Sequence, residues 1–335
     1  MSIEVQTSGE ARGEVLWSPT HESIAASGVG RFLEWLAQER GLRFDGYDEL
    51  WRWSVDDQPG FWGAVWDHYA PVAHSQPEQV LADASMPGAR WFPGATLNFT
   101  ENALRWTDDD EVVVIARSQT RGPIEMSRGE LRDAVARAAE GLRRLGVGKG
   151  DRVAAYLPNI PEALVAMLAT ASVGAIWAAC APEFGTRSVL DRFQQIEPAV
   201  LLVVDGYRYG DKDVDRRAEV ATIQAGLPTL RATVTVPYLD GAAAIGDLTW
   251  DGLLAEPAAP RYEAVPFDHP LWILFSSGTT GLPKAIVHSH GGIVVEMLKN
   301  QSMQGDLRPG DRYFVFCTTS WVMWNVVVGV LLSGV

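Results

Sequence analysis

The sequence predicts an α/β protein of parallel βαβ layers, with a tryptophan-rich, mainly helical cap at its N-terminal end. Three observations carry this expectation. Short apolar runs alternate with helix-length amphipathic segments between residues 128 and 204, the pattern of right-handed crossovers onto a parallel sheet. Eight of the thirteen tryptophans precede residue 107. A Ser/Thr/Gly loop joins two apolar runs near residue 280 and reads as a connection between two strands.

The cap is expected over 1–107 and the main domain over 108–335. Aromatic residues at this density bury large areas, so the cap reads as packed. Phe32, Trp35 and Leu36 stand at helical spacing, as do Phe61, Val65 and Trp66. A helix is expected over 128–145: Ser127 and Glu130 make a capping box, Leu131, Val135, Ala138, Leu142 and Leu145 share a face, and Gly146 ends it. Strands follow at 153–157, 176–180 and 200–204, with helices at 161–173 and from Thr186. Residues 205–260 are rich in Ala and Asp with weak periodicity and read as surface helices and loops. Two more strands are expected at 271–275 and 285–288.

Residues 313–335 hold 23 residues without a charge, long enough to span a membrane. Thr318-Thr319-Ser320, Asn325, Gly329 and Gly334 interrupt the run, so a strand at 313–317 and a buried helix after Trp321 fit better. The chain stops inside the apolar run Leu331-Leu332-Ser333-Gly334-Val335, which reads as an interrupted protein.

Of the 335 residues, 47% are hydrophobic and 21% charged, an ordinary globular balance. The net charge of −14 argues against nucleic acid or an anionic membrane as a partner. Any polyanionic substrate then needs a local basic or N–H-lined pocket. Cys180 and Cys317 sit in apolar runs and read as buried thiols of a reducing, cytoplasmic compartment. Residues 1–13 have no apolar core and read as no signal peptide. His288 and His290 would share one face of a strand, but no third ligand stands near them and no metal site is assigned.

The loop Ser276-Ser277-Gly278-Thr279-Thr280-Gly281-Leu282-Pro283-Lys284 suits a polyphosphate. Glycines let backbone N–H groups approach phosphate oxygens. Hydroxyls add donors and the lysine adds a point charge. It is not a Walker loop, because Lys284 lies three residues after Gly281 and precedes Ala285. Composition alone leaves a flexible surface loop equally open.

All nine positions fit the signature [ST]-[ST]-G-[ST]-T-G-x-P-K, and the loop resembles that of the adenylate-forming superfamily, which includes acyl-CoA synthetases. Gly148-Lys149-Gly150-Asp151-Arg152-Val153 and Leu157-Pro158-Asn159 are similar to the first strand of many such synthetases. The cap segments Leu50-Trp51-Arg52-Trp53-Ser54-Val55, Phe61-Trp62 and Trp91-Phe92-Pro93-Gly94-Ala95-Thr96-Leu97-Asn98 resemble the short-chain branch. Lys284-Ala285-Ile286-Val287-His288-Ser289-His290-Gly291-Gly292 and Trp321-Val322-Met323-Trp324-Asn325 resemble its acetoacetate-activating group.

The resemblance implies the large N-terminal domain of the adenylate-forming fold, incomplete here. It implies ligation of acetoacetate, or another short acid, to coenzyme A at the expense of ATP with Mg²⁺. Ser276, Ser277, Gly278, Thr279, Thr280, Gly281 and Lys284 would hold the phosphates. Trp321, Val322, Met323, Trp324 and Asn325 would line the acyl pocket, and Arg208 would approach the coenzyme A nucleotide. The adenine, ribose and Mg²⁺ contacts and the adenylation lysine are expected beyond Val335. A non-catalytic nucleotide-binding fragment is the competing expectation from another class.

Overall fold

A computed structural model describes residues 16–239, 245–276 and 281–335. In the cap, helices α1 (Gly28–Trp35) and α2 (Gln58–Tyr69) cross through Phe32 and Phe61, whose rings meet edge to face at 6.2 Å. Trp66 of α2 stacks on Phe92 at 4.9 Å, and Phe92 meets Phe267 at 4.9 Å. These aromatics belong to one apolar core that continues under the sheet to Trp177 and Trp272.

Helix α3 (Arg128–Arg144) starts as its sequence dictates. Ser127 Oγ accepts from Glu130 N–H at 3.2 Å, and the Glu130 carboxylate accepts from Ser127 N–H at 2.8 Å. Gly146, at φ 77°, turns the chain away. Ser127→Ala should destabilise the chain by about 1 kcal/mol. An unchanged urea midpoint would show the box to be redundant.

The central sheet has seven strands. They are β1 (Arg152–Tyr156), β2 (Ile176–Cys180), β3 (Val200–Val204), β4 (Ala232–Val236), β5 (Leu248–Thr249), β6 (Pro270–Ser276) and β7 (Lys284–Ser289). Their order is β5-β4-β3-β1-β2-β6-β7, parallel except for the β6–β7 hairpin. Helix α4 (Pro161–Ser172) links β1 to β2, and α5 (Thr186–Phe193) links β2 to β3. Both faces of the sheet are covered, as a parallel sheet requires. Val153 and Ala155 join the core with α3 and α4, while Ala154 and Tyr156 face Val189 and Phe193 of α5. The chain steps from β1 to β2 on one side, then returns to place β3 on the other. That reversal opens a crevice at the carboxyl ends of the strands.

Three expectations need correction. Residues 205–260 are not only surface helices and loops. They contain the fully buried β4 and a hairpin of strands Gly206–Tyr209 and Lys212–Asp215. The alternating threonines of β4 disguise it as polar. Thr235 Oγ1 accepts the N–H groups of Ile245 and Gly246 at 2.9 Å each, which makes its burial cheap.

Residues 313–317 form no strand among the described residues. Phe314 and Phe316 are 81% and 91% exposed, and Cys317 is half-buried rather than a core thiol. A continuous apolar run makes a strand possible, but a ladder needs a neighbouring backbone.

His288 and His290 do not share a strand face. The strand ends at Ser289, whose Oγ caps helix α6 (His290–Met297) by accepting from Gly292 N–H. The expected helix after Trp321 is α7 (Val322–Gly329). Among the described residues no helix is long and apolar enough to cross a membrane.

Candidate functional site

The predicted phosphate loop springs from the carboxyl end of β6. Ser276 is the last residue of β6 and lies opposite Lys284, the first of β7, in the hairpin ladder. Ser277, Gly278, Thr279 and Thr280 lie outside the described residues. Gly281 and Lys284 are exposed at the closing end, and Gln195 Nε2 donates to Pro283 O at 3.0 Å to tether it. An open groove of about 640 Å³ runs between Gly281 and Pro283 on one side and Thr186, Ser188 and Arg192 of α5 on the other. Two hydroxyls, the guanidinium groups of Arg187 and Arg192 and the positive end of α5 line the groove together with the Asp191 carboxylate, a locally cationic patch on a chain of net charge −14.

The segment at 319–325 is bonded to the same edge of the sheet. Thr319 Oγ1 donates to Leu157 O at 2.7 Å, just beyond β1. Ser320 Oγ accepts from Ala181 N–H at 2.6 Å, just beyond β2. Trp324 Nε1 donates to Asn159 Oδ1 at 2.9 Å. Three bonds to two adjacent strand ends fix the direction in which the segment leaves the sheet. Trp321 and Val322 are 53% and 41% exposed, Met323 is half-buried, and Trp324 and Asn325 are buried. The exposed pair can form a pocket rim. Trp324 serves the core, stacking on Trp177 with 6.3 Å between centroids and 26° between planes.

Trp324 therefore has no indole N–H free for a substrate, because Asn159 already takes it. Asn325 is 1% exposed, and neither its Nδ2 nor its Oδ1 has a hydrogen-bond partner among the described residues. Arg208 lies apart from the loop's own strands, on the hairpin that follows β3. It is held across that hairpin by Asp213, with Nε to Oδ1 at 2.6 Å.

Both candidate histidines are committed elsewhere. His288 Nδ1 accepts from Trp272 Nε1 at 2.8 Å, and His290 Nδ1 accepts from Phe99 N–H at 3.1 Å. Burial lowers the pKa of each. Among the described residues no group of three or more His, Cys, Asp or Glu side chains converges on one point.

The three anchors Thr319, Ser320 and Asn159 are absent from the sequence-derived site. Their signal was present as polar residues interrupting an apolar stretch and as the asparagine after Leu157-Pro158. Trp177, in the middle of an apolar run, gave no such signal.

The chain is 42% identical over 328 residues to the acetoacetyl-coenzyme A synthetase of Rhizobium meliloti (strain 1021), covering 95% of this chain and 50% of that protein. It is 35% identical over 341 residues to malonamoyl-CoA synthetase vrtB of Penicillium aethiopicum, covering 96% and 47%. The solved structure of acetoacetyl-CoA synthetase from Streptomyces lividans superposes with a TM-score of 0.93 at 53% identity, over 96% of this chain and 50% of that one. The chain thus spans about half the length of the curated relatives it matches. The family model described as acetyl-coenzyme A synthetase N-terminus matches residues 47–103, and that described as AMP-binding enzyme matches residues 99–335. With that model matching more than half of the sequence, the chain belongs to the AMP-binding enzyme family.

Proposed function

We propose that this chain is the phosphate-binding portion of an ATP-dependent ligase that joins acetoacetate to coenzyme A, releasing AMP and pyrophosphate. The observation that carries the reading is the signature loop, framed by Ser276 and Lys284 at the carboxyl edge of a parallel sheet, with 319–325 anchored to the same edge. The relatives' names support the choice of acid. Acetoacetyl and malonamoyl groups both carry a second carbonyl at C3.

The acid's carboxylate attacks the α-phosphorus of ATP in line, and pyrophosphate leaves. The thiol of coenzyme A then displaces AMP from the acyl-adenylate. Such transfers depend on positioning and charge stabilisation. In this reading the loop hydroxyls, its backbone N–H groups and the Lys284 ammonium hold the β- and γ-phosphates as charge moves onto the leaving group. Mg²⁺, bound with the nucleotide, supplies further neutralisation. Residues 1–107 act as a cap on the nucleotide-binding domain of 108–335, Arg208 meets the coenzyme A nucleotide, and the enzyme works in the cytoplasm. The match of 47–103 to an acetyl-coenzyme A synthetase segment makes acetate the competing substrate.

A panel of short acids, scored by pyrophosphate release with the complete protein, tests the reading. Acetoacetate should lead, and a clear preference for acetate would transfer the assignment. Lys284→Ala should slow adenylation on the order of ten- to a hundredfold, as expected for one lost charge-assisted contact of about 1.5–3 kcal/mol. Thioester formation from supplied acyl-adenylate should suffer less. Equal losses in both half-reactions would show that the loop does not act on the phosphates.

A further inference from the structure

The β6–β7 hairpin that carries the loop lies at the edge of the sheet. Among the described residues β7 pairs with β6 alone, so no strand supports the hairpin on its outer side. The end of such a hairpin frays unless something else holds it. Its two feet are Phe275 and Ser276 at the end of β6, and Pro283 and Lys284 leading into β7. Both feet are held from α5 and the turn that follows it. The Arg192 guanidinium lies over the Phe275 ring, 6.0 Å from its centroid, and over the Phe184 ring at 5.1 Å. Its Nη1 donates to Ser188 O and Oγ at 2.7 Å each, which fixes the group on its own helix. Three residues on, Gln195 Nε2 donates to Pro283 O at 3.0 Å and to Asp191 O at 2.6 Å. Residues three apart in a helical turn project from one face, so a single face reaches both feet.

We propose that Arg192 and Gln195 are positioning residues for the adenylation step: together they hold the two feet of the phosphate loop at a fixed distance from α5. The proposal rests on the reading of the loop given above. Donors preset around a leaving pyrophosphate need no reorganisation as charge develops on it. A loop whose feet wander must be ordered when the nucleotide binds, and that cost appears as weaker binding.

The test uses the complete protein carrying this sequence. Gln195 is exposed, and Gln195→Met keeps the side-chain length while losing the donor, so its urea midpoint should match that of the unsubstituted protein. Arg192→Lys keeps the positive charge but loses the planar group that lies on Phe275 and Phe184. A charge acting directly on phosphate would survive that change, so a loss in this variant reports placement. Without ligand, amide hydrogen exchange of Ser276 and Lys284, the last pair of the hairpin ladder, should quicken in both variants by about three- to tenfold. KM for ATP and Kd for inorganic pyrophosphate should rise by about the same factor. KM for acetoacetate, and thioester formation from supplied acyl-adenylate, should change by less than about twofold. Unchanged exchange at Ser276 and Lys284 in both variants overturns the proposal. Faster exchange with unchanged KM for ATP and unchanged pyrophosphate affinity also overturns it, and the reading of the loop stands if Lys284→Ala still slows adenylation. A KM for acetoacetate that rises in step with that for ATP shows a general fault and overturns it too. An unsubstituted protein that releases no pyrophosphate with any short acid overturns the proposal and the ligase reading together.

Discussion

Acidification from pH 7 to pH 5 should destabilise the chain through His290, and His290→Asn should remove that part of the loss. His290 is the first residue of α6 and is fully buried. Its Nδ1 accepts from Phe99 N–H at 3.1 Å, which places the ring's proton on Nε2. Burial, and to a lesser degree the neighbouring His269, lowers its pKa to about 3. The two rings lie 5.7 Å apart between centroids. An unfolded histidine titrates near 6.5. Between about pH 6.5 and pH 3 the unfolded chain therefore binds a proton that the folded chain refuses. Stability is complete above pH 6.5 and falls below it, by up to about 1.4 kcal/mol per pH unit.

Carboxylates contribute little between pH 6.5 and 5, so this window reports mainly on imidazoles. His68 and His288, also lowered by burial, act in the same direction, and comparison with the variant separates His290 from them. In His290→Asn an amide oxygen can replace Nδ1 as the acceptor for Phe99. Urea midpoints at pH 7, 6 and 5 for both chains measure the difference. Equal slopes for the two would refute the assignment.

The strands β1, β2 and β3 were legible because each carries an apolar run of four or five residues with glycine or proline close by, buried on both faces. The start of α3 was legible because its capping box involves only residues three apart. Local chemistry of this kind is written along the chain. β4 was not legible, because its threonines read as polar while the Thr235 hydroxyl is satisfied by the N–H groups of Ile245 and Gly246 rather than by water. The ladder expected at 313–317 failed for the opposite reason. Its apolar pattern is complete, but pairing depends on a second strand that no local pattern supplies.

The site divides in the same way. The candidate phosphate loop was suggested by residue types and 321–325 by resemblance alone, and neither reveals which hydrogen bonds form. Trp324 was assigned to the acyl pocket by resemblance, and Trp177 read only as part of an apolar run. Only their placement shows that Asn159 accepts from one indole while the other has no partner among the described residues.

Under the proposed reading, in which 321–325 line the acyl pocket, that allocation makes Asn159 a positioning residue for the acyl wall. In the complete enzyme, Asn159→Leu should lower kcat/KM for the acid by about ten- to a hundredfold. It would leave the buried Trp324 N–H unpaired and release the middle of 319–325 from the end of β1. Thr319 and Ser320 would still hold the start of the segment, so the phosphate loop should keep its place and KM for ATP should change by less than about twofold. Asn159→Asp keeps an acceptor at that position and should recover most of the loss. Trp324→Phe removes the donor instead, and its effect should not add to that of Asn159→Leu, because both break one bond. A general fault in folding would raise KM for ATP and for the acid together and would resist rescue by aspartate. Additive losses in the double variant, or a KM for ATP that rises in step with that for the acid, would mean that the Trp324–Asn159 bond is part of the core and does not set the acyl wall.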